Sequence, residues 1–182
     1  MRIGILGGTF DPPHNGHLIA ATRVLDAGLT DEVWLIPCLA HRFGKAPADF
    51  AHRLAMCRLL IAEHPTLKVS DIEVTVNRPG YTIDLVNRLR ADYPNDTFRL
   101  IAGTDIYHQK AAWHRYDEIA ALAPPIYVER RGEAPIPEPT LAAPPDISSH
   151  ELRDALQRGE RPSDRIPDSV IDYILANGLY RS

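Results

Sequence analysis

The sequence predicts an α/β fold built on a mostly parallel sheet that is flanked by helices. Short apolar runs of strand length alternate along the chain with longer segments whose apolar residues recur at helical spacing. Glycine, proline or clustered polar residues separate these segments, as is common at turns and helix ends. Strands that alternate with helices favour a parallel sheet, because the return from one strand to the next runs through a helix.

Length and composition predict one domain over residues 1–182, with a helical C-terminal part at about residues 147–182 packed on it. A chain of 182 residues can bury about 70% of the surface that its unfolded form exposes. Apolar residues make up 45% and charged residues 24%, as in ordinary globular proteins. The net charge of −4 argues against a broad nucleic-acid-binding surface.

Cysteine usage and hydropathy predict a cytoplasmic protein. The two cysteines are too few for a disulfide framework and lack a metal-binding CxxC spacing, which favours a reducing compartment. The amino terminus starts directly with a strand pattern, so we predict no signal peptide. No segment approaches about eighteen continuous apolar residues, so we also predict no membrane span.

The opening stretch, residues 2–20, predicts a strand, a tight turn and a helix. Ile3, Ile5 and Leu6 form a short apolar run that a glycine pair ends, and apolar residues then recur at helical spacing. Such a turn brings unpaired backbone N–H groups and the positive end of a helix dipole to one spot. That spot suits an anion such as a phosphate.

The rest of the chain continues this alternation. Further strands are predicted at residues 32–36, 67–69, 72–74, 98–102 and 126–128. Helices are predicted at residues 50–61, at 81–92, as two short helices within 104–122, from about 147, and at 168–177. Residues 38–49 are predicted to form a loop, and residues 135–145, with five prolines, an extended surface loop.

Polar side chains follow three of the predicted strands. The carboxyl ends of parallel strands meet at one edge of a sheet, so we expect these side chains to surround one ligand. They are His14 and His17 after the first strand, His41, Arg42 and Lys45 after the second, and Thr104 and Asp105 after the strand at 98–102. The helix start that carries Ser148 and Arg153 joins them if the chain crosses back over this edge.

This set of residues supplies hydrogen-bond donors without a nucleophile beside a base, which suits transfer of a nucleotidyl group between phosphates. An attacking phosphate monoester has a second pKa of about 6, so it is mostly dianionic at neutral pH and needs no general base. In-line positioning and charge neutralisation then suffice, with Mg²⁺ held largely by substrate phosphates and water.

The opening motif carries a family resemblance. Residues 7–17, GGTFDPPHNGH, resemble the GGTFDPxHxGH signature of the HxGH nucleotidyltransferases, and specifically of the bacterial nicotinate-nucleotide adenylyltransferases. Further elements that resemble this family are Gly103-Thr104-Asp105, Trp113, Tyr81-Thr82, Ile147-Ser148-Ser149 with Arg153, and the ending Tyr173-Ile174 with Gly178-Leu179-Tyr180. The resemblance implies a Rossmann-like nucleotidyltransferase fold and spans almost the whole chain.

The resemblance also implies a reaction and roles for the site residues. The phosphate of nicotinate mononucleotide would attack the α-phosphorus of ATP, giving the pyridine dinucleotide of NAD biosynthesis and pyrophosphate, with Mg²⁺ carried by ATP. His14 and His17 would be catalytic. Gly8, Thr9, Phe10, His41, Arg42, Lys45, Ser148 and Arg153 would bind ATP, Gly103 and Asp105 ribose, and Tyr81, Thr82 and Trp113 the pyridine nucleotide. No metal site of the protein's own is predicted, and a homo-oligomer is left open.

The sequence departs from the family pattern at three places. The loop after the second strand replaces the usual PPHK-like segment, so which of His41, Arg42 and Lys45 contacts phosphate stays open. His150 replaces a threonine, and Gly80 replaces a serine, which leaves the choice between nicotinate and nicotinamide mononucleotide open. The alternatives are a different acceptor, as in phosphopantetheine or cytidylyl-transferring relatives, and a non-catalytic nucleotide-binding module.

Overall fold

The computed structural model describes residues 1–39, 47–78 and 80–181 of the chain. Within these ranges the strands are β1 (Arg2–Gly8), β2 (Glu32–Pro37), β3 (Leu67–Val69), β4 (Thr97–Gly103), β5 (Pro125–Val128) and β6 (Thr140–Leu141). The α-helices there are α1 (Asn15–Asp26), α2 (Phe50–Leu60), α3 (Thr82–Asp92), α4 (Thr104–Gln109), α5 (Tyr116–Leu122), α6 (Ser149–Gln157) and α7 (Asp168–Ala176). The predicted α/β class is confirmed.

The strands form one parallel sheet in the order β3-β2-β1-β4-β5-β6. In its centre, Ile5 of β1 pairs with Trp34 of β2 on one side and with Leu100 of β4 on the other. The chain builds the sheet outward from β1 to β3 and then returns to build the other half from β4. This reversal opens a crevice at the carboxyl ends of β1 and β4, where α/β proteins bind ligands.

Apolar side chains alternate between the two faces of the sheet and form a core on each. In β2, Val33 and Leu35 belong to the core of one face, whereas Trp34 and Ile36 belong to the other. Helices α1, α2, α6 and α7 contribute to the first core, and α3 and α5 contribute to the second. The C-terminal helices therefore share a core with the sheet.

The predicted helices are present, with small shifts at their ends. The helix predicted from residue 81 begins at Thr82, and the predicted pair of short helices is α4 and α5, joined by a 3₁₀ turn at Lys110–Ala112. Ser148 precedes α6 at the N-cap position but makes no capping hydrogen bond with its side chain. None of the helices in the described ranges is long and apolar enough to cross a membrane.

The strand predicted at residues 72–74 is wrong, because this segment is a 3₁₀ helix at Ile72–Thr75. The Val74 N–H donates to the Asp71 carbonyl at 3.0 Å, and the Thr75 hydroxyl donates to the Ile72 carbonyl at 2.8 Å. These local bonds replace the pairing that a strand would need. Ile72 is buried, with 8% of its surface exposed.

The surface loop predicted at residues 135–145 is wrong at its centre, where β6 pairs with β5. Tyr127 lies opposite Thr140 and Val128 opposite Leu141, and the Glu129 N–H donates to the Leu141 carbonyl at 2.8 Å. The outer edge of β5 offers unpaired backbone groups, which a neighbouring extended segment can satisfy. Two residues of pairing carry too little periodicity to be recognised between prolines.

Candidate active site

Two adjacent cavities open at the carboxyl edge of the sheet in the described part of the chain. The larger cavity, of about 910 Å³, lies beside the starts of α1 and α6, and the smaller cavity, of about 550 Å³, lies beside the start of α3. Both are lined by Thr9, His17, Gly103 and Arg130. Two ligands that bind in these cavities would therefore meet at the loop that follows β1.

Side chains from α2 and α6 hold the backbone of this loop. The Arg53 Nη1 donates to the Thr9 carbonyl at 2.8 Å, and the Arg153 Nη1 donates to the Asp11 carbonyl at 2.6 Å. The Ser149 hydroxyl donates to the carbonyl of the next residue, Pro12, at 3.1 Å. The loop has no regular secondary structure, so these side chains satisfy carbonyls that a helix or sheet would otherwise pair.

Asp11 connects this loop to distant parts of the chain. Its Oδ1 accepts a hydrogen bond from the Tyr180 hydroxyl at 2.7 Å and another from the Ala48 N–H at 3.1 Å. Its Oδ2 lies 3.6 Å from the Arg153 Nη1. Only 8% of Asp11 is exposed, so protein groups satisfy most of its carboxylate in place of water.

His14 and His17 lie against each other at the start of α1, with ring centroids 3.8 Å apart. The His17 Nδ1 accepts the backbone N–H of His14 at 3.2 Å. A neutral His17 therefore carries its proton on Nε2, which is then a hydrogen-bond donor. Phe10 contacts the same ring, with the two centroids 4.8 Å apart, and limits its orientation.

Both histidines have lowered pKa values, which favour their neutral forms at neutral pH. Burial, and secondly the charge of Arg130, lowers the pKa of His14 from 6.5 to about 4. Burial, then His14 and Arg130, lowers the pKa of His17 well below its usual range. Each imidazole can then donate a neutral N–H to a phosphate, and negative charge nearby would raise both pKa values.

The carboxylate of Asp105 lies at the mouth of the smaller cavity, directly after β4. Its Oδ2 is 3.5 Å from the Arg130 Nη1, and its buried Oδ1 has no hydrogen-bond partner among the residues that the structure describes. Thr104 is almost fully buried, and its hydroxyl accepts the Arg130 N–H at 3.1 Å. Thr104 thus ties the loop after β5 to the start of α4.

Aromatic residues line the other side of the smaller cavity. Tyr81, Thr82, Trp113 and His114 all line it. The rings of Tyr81 and His114 pack edge to face with centroids 5.3 Å apart. Such a wall offers flat apolar surface to a planar ring.

The structure brings most of the predicted site residues to one edge of the sheet. Those that line the larger cavity are Thr9, Phe10, His14, His17, Gly103, Ser148 and Arg153. Those that line the smaller cavity are Gly8, Thr9, His17, Gly103, Asp105, Tyr81, Thr82 and Trp113. Three predicted phosphate-binding residues, His41, Arg42 and Lys45, lie outside the described residues.

Three residues at or near the site, Arg130, Arg53 and Glu73, were not predicted from the sequence, and Tyr180 was recognised only as part of the family-like ending, without a role. Arg130 follows β5 at the same sheet edge, so the rule that selected Asp105 would also have selected it. Arg53 and Glu73 are charged side chains with only 1% and 3% of their surface exposed, and helical periodicity gave no sign of their burial. Tyr180 contacts the loop after β1 from the opposite end of the chain.

Known proteins match this chain over nearly its full length. A model of the cytidylyltransferase-like family matches residues 5–155. A protein of Myxococcus xanthus named "Probable nicotinate-nucleotide adenylyltransferase" is 40% identical, over 99% of this chain and 95% of its own length. The nicotinate-nucleotide adenylyltransferase of Bacillus subtilis is 38% identical, over 100% of this chain and 99% of its own.

Solved structures share the fold. The Plasmodium falciparum nicotinic acid mononucleotide adenylyltransferase complexed with NaAD has a TM-score of 0.83 at 23% identity, covering 98% of this chain and 97% of that chain. The same enzyme complexed with APC has a TM-score of 0.81. The predicted Rossmann-like nucleotidyltransferase fold is thereby confirmed. The chain belongs to the cytidylyltransferase-like family and, within it, to the nicotinate-nucleotide adenylyltransferases.

Proposed function

We propose that the protein transfers the adenylyl group of ATP to the phosphate of nicotinate mononucleotide, in NAD biosynthesis. The observation that carries this proposal is the pair of cavities that meet at Thr9, His17, Gly103 and Arg130. ATP would bind in the larger cavity and the pyridine nucleotide in the smaller one. The two reacting phosphates would then face each other beside His17.

The reaction needs alignment and charge stabilisation more than a base. An oxygen of the acceptor phosphate attacks the α-phosphorus of ATP, a new P–O bond forms, and the bond to the bridging oxygen breaks to release pyrophosphate. The acceptor's second pKa is about 6, so the attacking oxygen is already deprotonated at neutral pH. Negative charge grows on the α-phosphoryl oxygens and on the leaving group, where fixed donors are most effective.

His14 and His17 would supply such donors. Their pKa values are lowered, chiefly by burial, which favours two uncharged imidazoles. The Nε2–H of His17 is directed by the bond at its Nδ1. Arg153 already donates from Nη1 to Asp11, and its other N–H groups would bind the ATP phosphates together with Ser148. Arg130, at the junction, would neutralise charge on either substrate.

Binding of the nucleosides would use the remaining site residues. The Oδ1 of Asp105, without a partner among the described residues, can accept hydrogen bonds from ribose hydroxyls beside Gly103. Arg53 holds the Thr9 carbonyl, so the N–H of Phe10 in the same peptide group points the other way and can bind a phosphate. The pyridine ring would pack against Tyr81, Thr82 and Trp113.

The proposed reaction also requires a divalent cation. Nucleotidyl transfer generally uses one, and we propose Mg²⁺ held mainly by ATP phosphate oxygens and water, its ordinary ligands. The described residues contain no group of three His, Cys, Asp or Glu side chains that could hold a metal ion. Activity should cease with a chelator and return on addition of excess Mg²⁺.

The acceptor is tested by incubating the purified protein with ATP, Mg²⁺ and one candidate acceptor at a time, and by measuring pyrophosphate release. Nicotinate mononucleotide should give the highest kcat/KM, above nicotinamide mononucleotide and phosphopantetheine. Replacing ATP by CTP tests cytidylyl transfer. Absence of pyrophosphate release with both pyridine mononucleotides would overturn the proposal.

Catalysis, as opposed to mere nucleotide binding, is tested with His17→Ala. Removal of a donor to the growing charge should lower kcat by roughly a hundredfold or more, with the fold retained by circular dichroism. His108→Ala is the control, because His108 is exposed and contacts the Ala134 carbonyl away from both cavities. A binding module would bind ATP without turnover, and His17→Ala would then have no reaction to slow.

A further inference from the structure

The C-terminal residues 178–180 form one wall of the larger cavity. Helix α7 ends with the Gly178 N–H donating to the Leu175 carbonyl at 3.3 Å and the Leu179 N–H donating to the Ile174 carbonyl at 3.0 Å. Gly178 has φ of +62°, as expected of a glycine that closes a helix in this way. The chain therefore turns back sharply, and Leu179 and Tyr180 are directed to the cavity by the helix end itself.

The Tyr180 hydroxyl joins this wall to the loop after β1. It donates to the Asp11 Oδ1 at 2.7 Å, across 169 positions of sequence. Burial, and secondly this hydrogen bond, raises the pKa of the Tyr180 hydroxyl, so the group stays protonated and remains a donor. The acceptor is a buried carboxylate, and hydrogen bonds to buried charged groups are stronger than those between neutral groups.

The backbone has positive φ angles on both sides of the contact between Tyr180 and Asp11. Phe10, which precedes Asp11, has φ of +52°, and Tyr180 has φ of +58°. Bulky residues rarely adopt the left-handed region, and they remain there only when their surroundings hold them. Arg115 is the other non-glycine residue of the described chain with positive φ, and it lines neither cavity. Strain of this kind concentrates where a precise local geometry is required.

We propose that Tyr180 is a positioning residue, which acts through Asp11 to hold the loop that carries His14 and His17 in the geometry that binds ATP. Asp11 also contacts Arg153, through its carbonyl at 2.6 Å and its Oδ2 at 3.6 Å from Nη1. A shift of Asp11 would therefore displace the guanidinium and the histidines together. The identity of the ligand rests on the proposed function, whereas the positioning role rests on these contacts.

The test compares two variants that each lose one hydroxyl. Tyr180→Phe removes the bond to Asp11, and the control Tyr173→Phe removes a bond of 2.9 Å to the His52 Nδ1, outside both cavities. We expect Tyr180→Phe to lower kcat/KM for ATP roughly tenfold, because small misplacements of catalytic groups are costly. The KM of Tyr180→Phe for the acceptor should stay within about twofold of the wild-type value. All kcat and KM values of the control Tyr173→Phe should also stay within about twofold of the wild type.

A double-mutant cycle with Asp11→Asn separates action through Asp11 from a direct effect. If Tyr180 acts through Asp11, the double variant should be no worse than Asp11→Asn alone. Additive losses, or a Tyr180→Phe enzyme that matches Tyr173→Phe, would overturn the proposal. If Asp11→Asn does not fold, the comparison of the two Tyr→Phe variants decides the question.

Binding measurements keep this inference separate from the proposed reaction. Titration calorimetry with a non-hydrolysable ATP analogue needs no acceptor, and Tyr180→Phe should weaken this binding several-fold relative to Tyr173→Phe. A wild-type protein that binds the analogue but releases no pyrophosphate with either pyridine mononucleotide would overturn the proposed function alone. Equal binding by the two variants would overturn the positioning role, whatever the acceptor.

Discussion

His14 and His17 lie in contact at the start of α1, and we propose that these two neutral histidines form the chemical centre of the site. Because the pKa of His14 is lowered to about 4, its imidazole is neutral at neutral pH and does not repel that of His17. ATP would bring negative charge to within hydrogen-bond reach, and that charge favours the protonated form. The pair therefore suits stabilisation of growing phosphate charge better than removal of a proton from the acceptor.

The same pKa shift makes stability depend on pH. The pKa of His14 is about 4 in the folded protein against 6.5 for an ordinary histidine, so the unfolded chain binds more protons between these values. The free energy of unfolding should therefore fall as the pH decreases through this window, by about 2 kcal/mol from His14 alone at about pH 4.5. Denaturant titrations at neutral pH and at about pH 4.5 measure this change.

His14→Gln is the matched variant for this measurement, because it keeps a polar side chain but cannot titrate. Its stability should fall less than that of the wild type between the two pH values, by about 2 kcal/mol. Equal losses in both proteins would show that His14 does not carry the effect.

At the scale of elements, the 3₁₀ helix at Ile72–Thr75 braces the smaller cavity. The Glu73 Oε2 accepts two backbone hydrogen bonds. One comes from the N–H of Leu39, which follows β2, at 3.4 Å, and the other from the N–H of Gly80, which precedes α3, at 2.9 Å. One buried oxygen thus joins two loops, and the second loop leads directly to Tyr81 and Thr82. Burial raises the pKa of Glu73 from its ordinary value. A carboxyl oxygen can accept a hydrogen bond in either protonation state.

Two substitutions at Glu73 separate acceptor geometry from charge. Glu73→Ala removes the shared acceptor and should raise KM for the pyridine nucleotide roughly tenfold, with KM for ATP little changed. Glu73→Gln keeps an oxygen at this place and should stay close to wild type. Steady-state kinetics with each substrate varied in turn provides both constants.

Glu32→Ala is the control for general loss of a partly buried carboxylate, since Glu32 accepts the Trp34 Nε1–H at 2.9 Å at the other end of β2. It should leave both KM values within about twofold of the wild type. A Glu73→Gln enzyme as impaired as Glu73→Ala would contradict the geometric explanation and favour a requirement for charge.

At the scale of the whole molecule, one sheet carries both cavities and both cores. Trp34 and Trp113 belong to the core on one face, whereas α6 and α7 pack on the other. We therefore propose that the chain unfolds as one cooperative domain. Tryptophan fluorescence and hydrogen exchange of α7 amides should report the same free energy of unfolding.

ATP should stabilise both faces equally, because its proposed site lies at the edge that they share. At a concentration one hundred times its Kd, it should raise the free energy of unfolding by about 2.7 kcal/mol by either probe. Two separate transitions, or stabilisation of α7 without an effect on tryptophan fluorescence, would contradict a single domain.

Local patterns account for what could be predicted of the fold and the site. Strand and helix periodicity predicted the parallel α/β sheet, and the motif at residues 7–17 predicted the positions of His14 and His17. The strand predicted at residues 72–74 was wrong, because apolar alternation over three residues does not distinguish a strand from a 3₁₀ turn. The strand β6 was missed, because it is defined by the pairing of two residues with β5, and the local sequence does not record this pairing.

The sequence by itself determined the fold class, the strand-turn-helix unit that carries the motif at residues 7–17, and the family, since these follow from periodicity, glycine placement and one contiguous motif. Only the tertiary structure decided how the turn is held. Arg53 reaches Thr9 across 44 positions and Tyr180 reaches Asp11 across 169. The physical reason is that burial and hydrogen bonding depend on distance in space, and no local pattern of residues records which distant side chains the fold brings together.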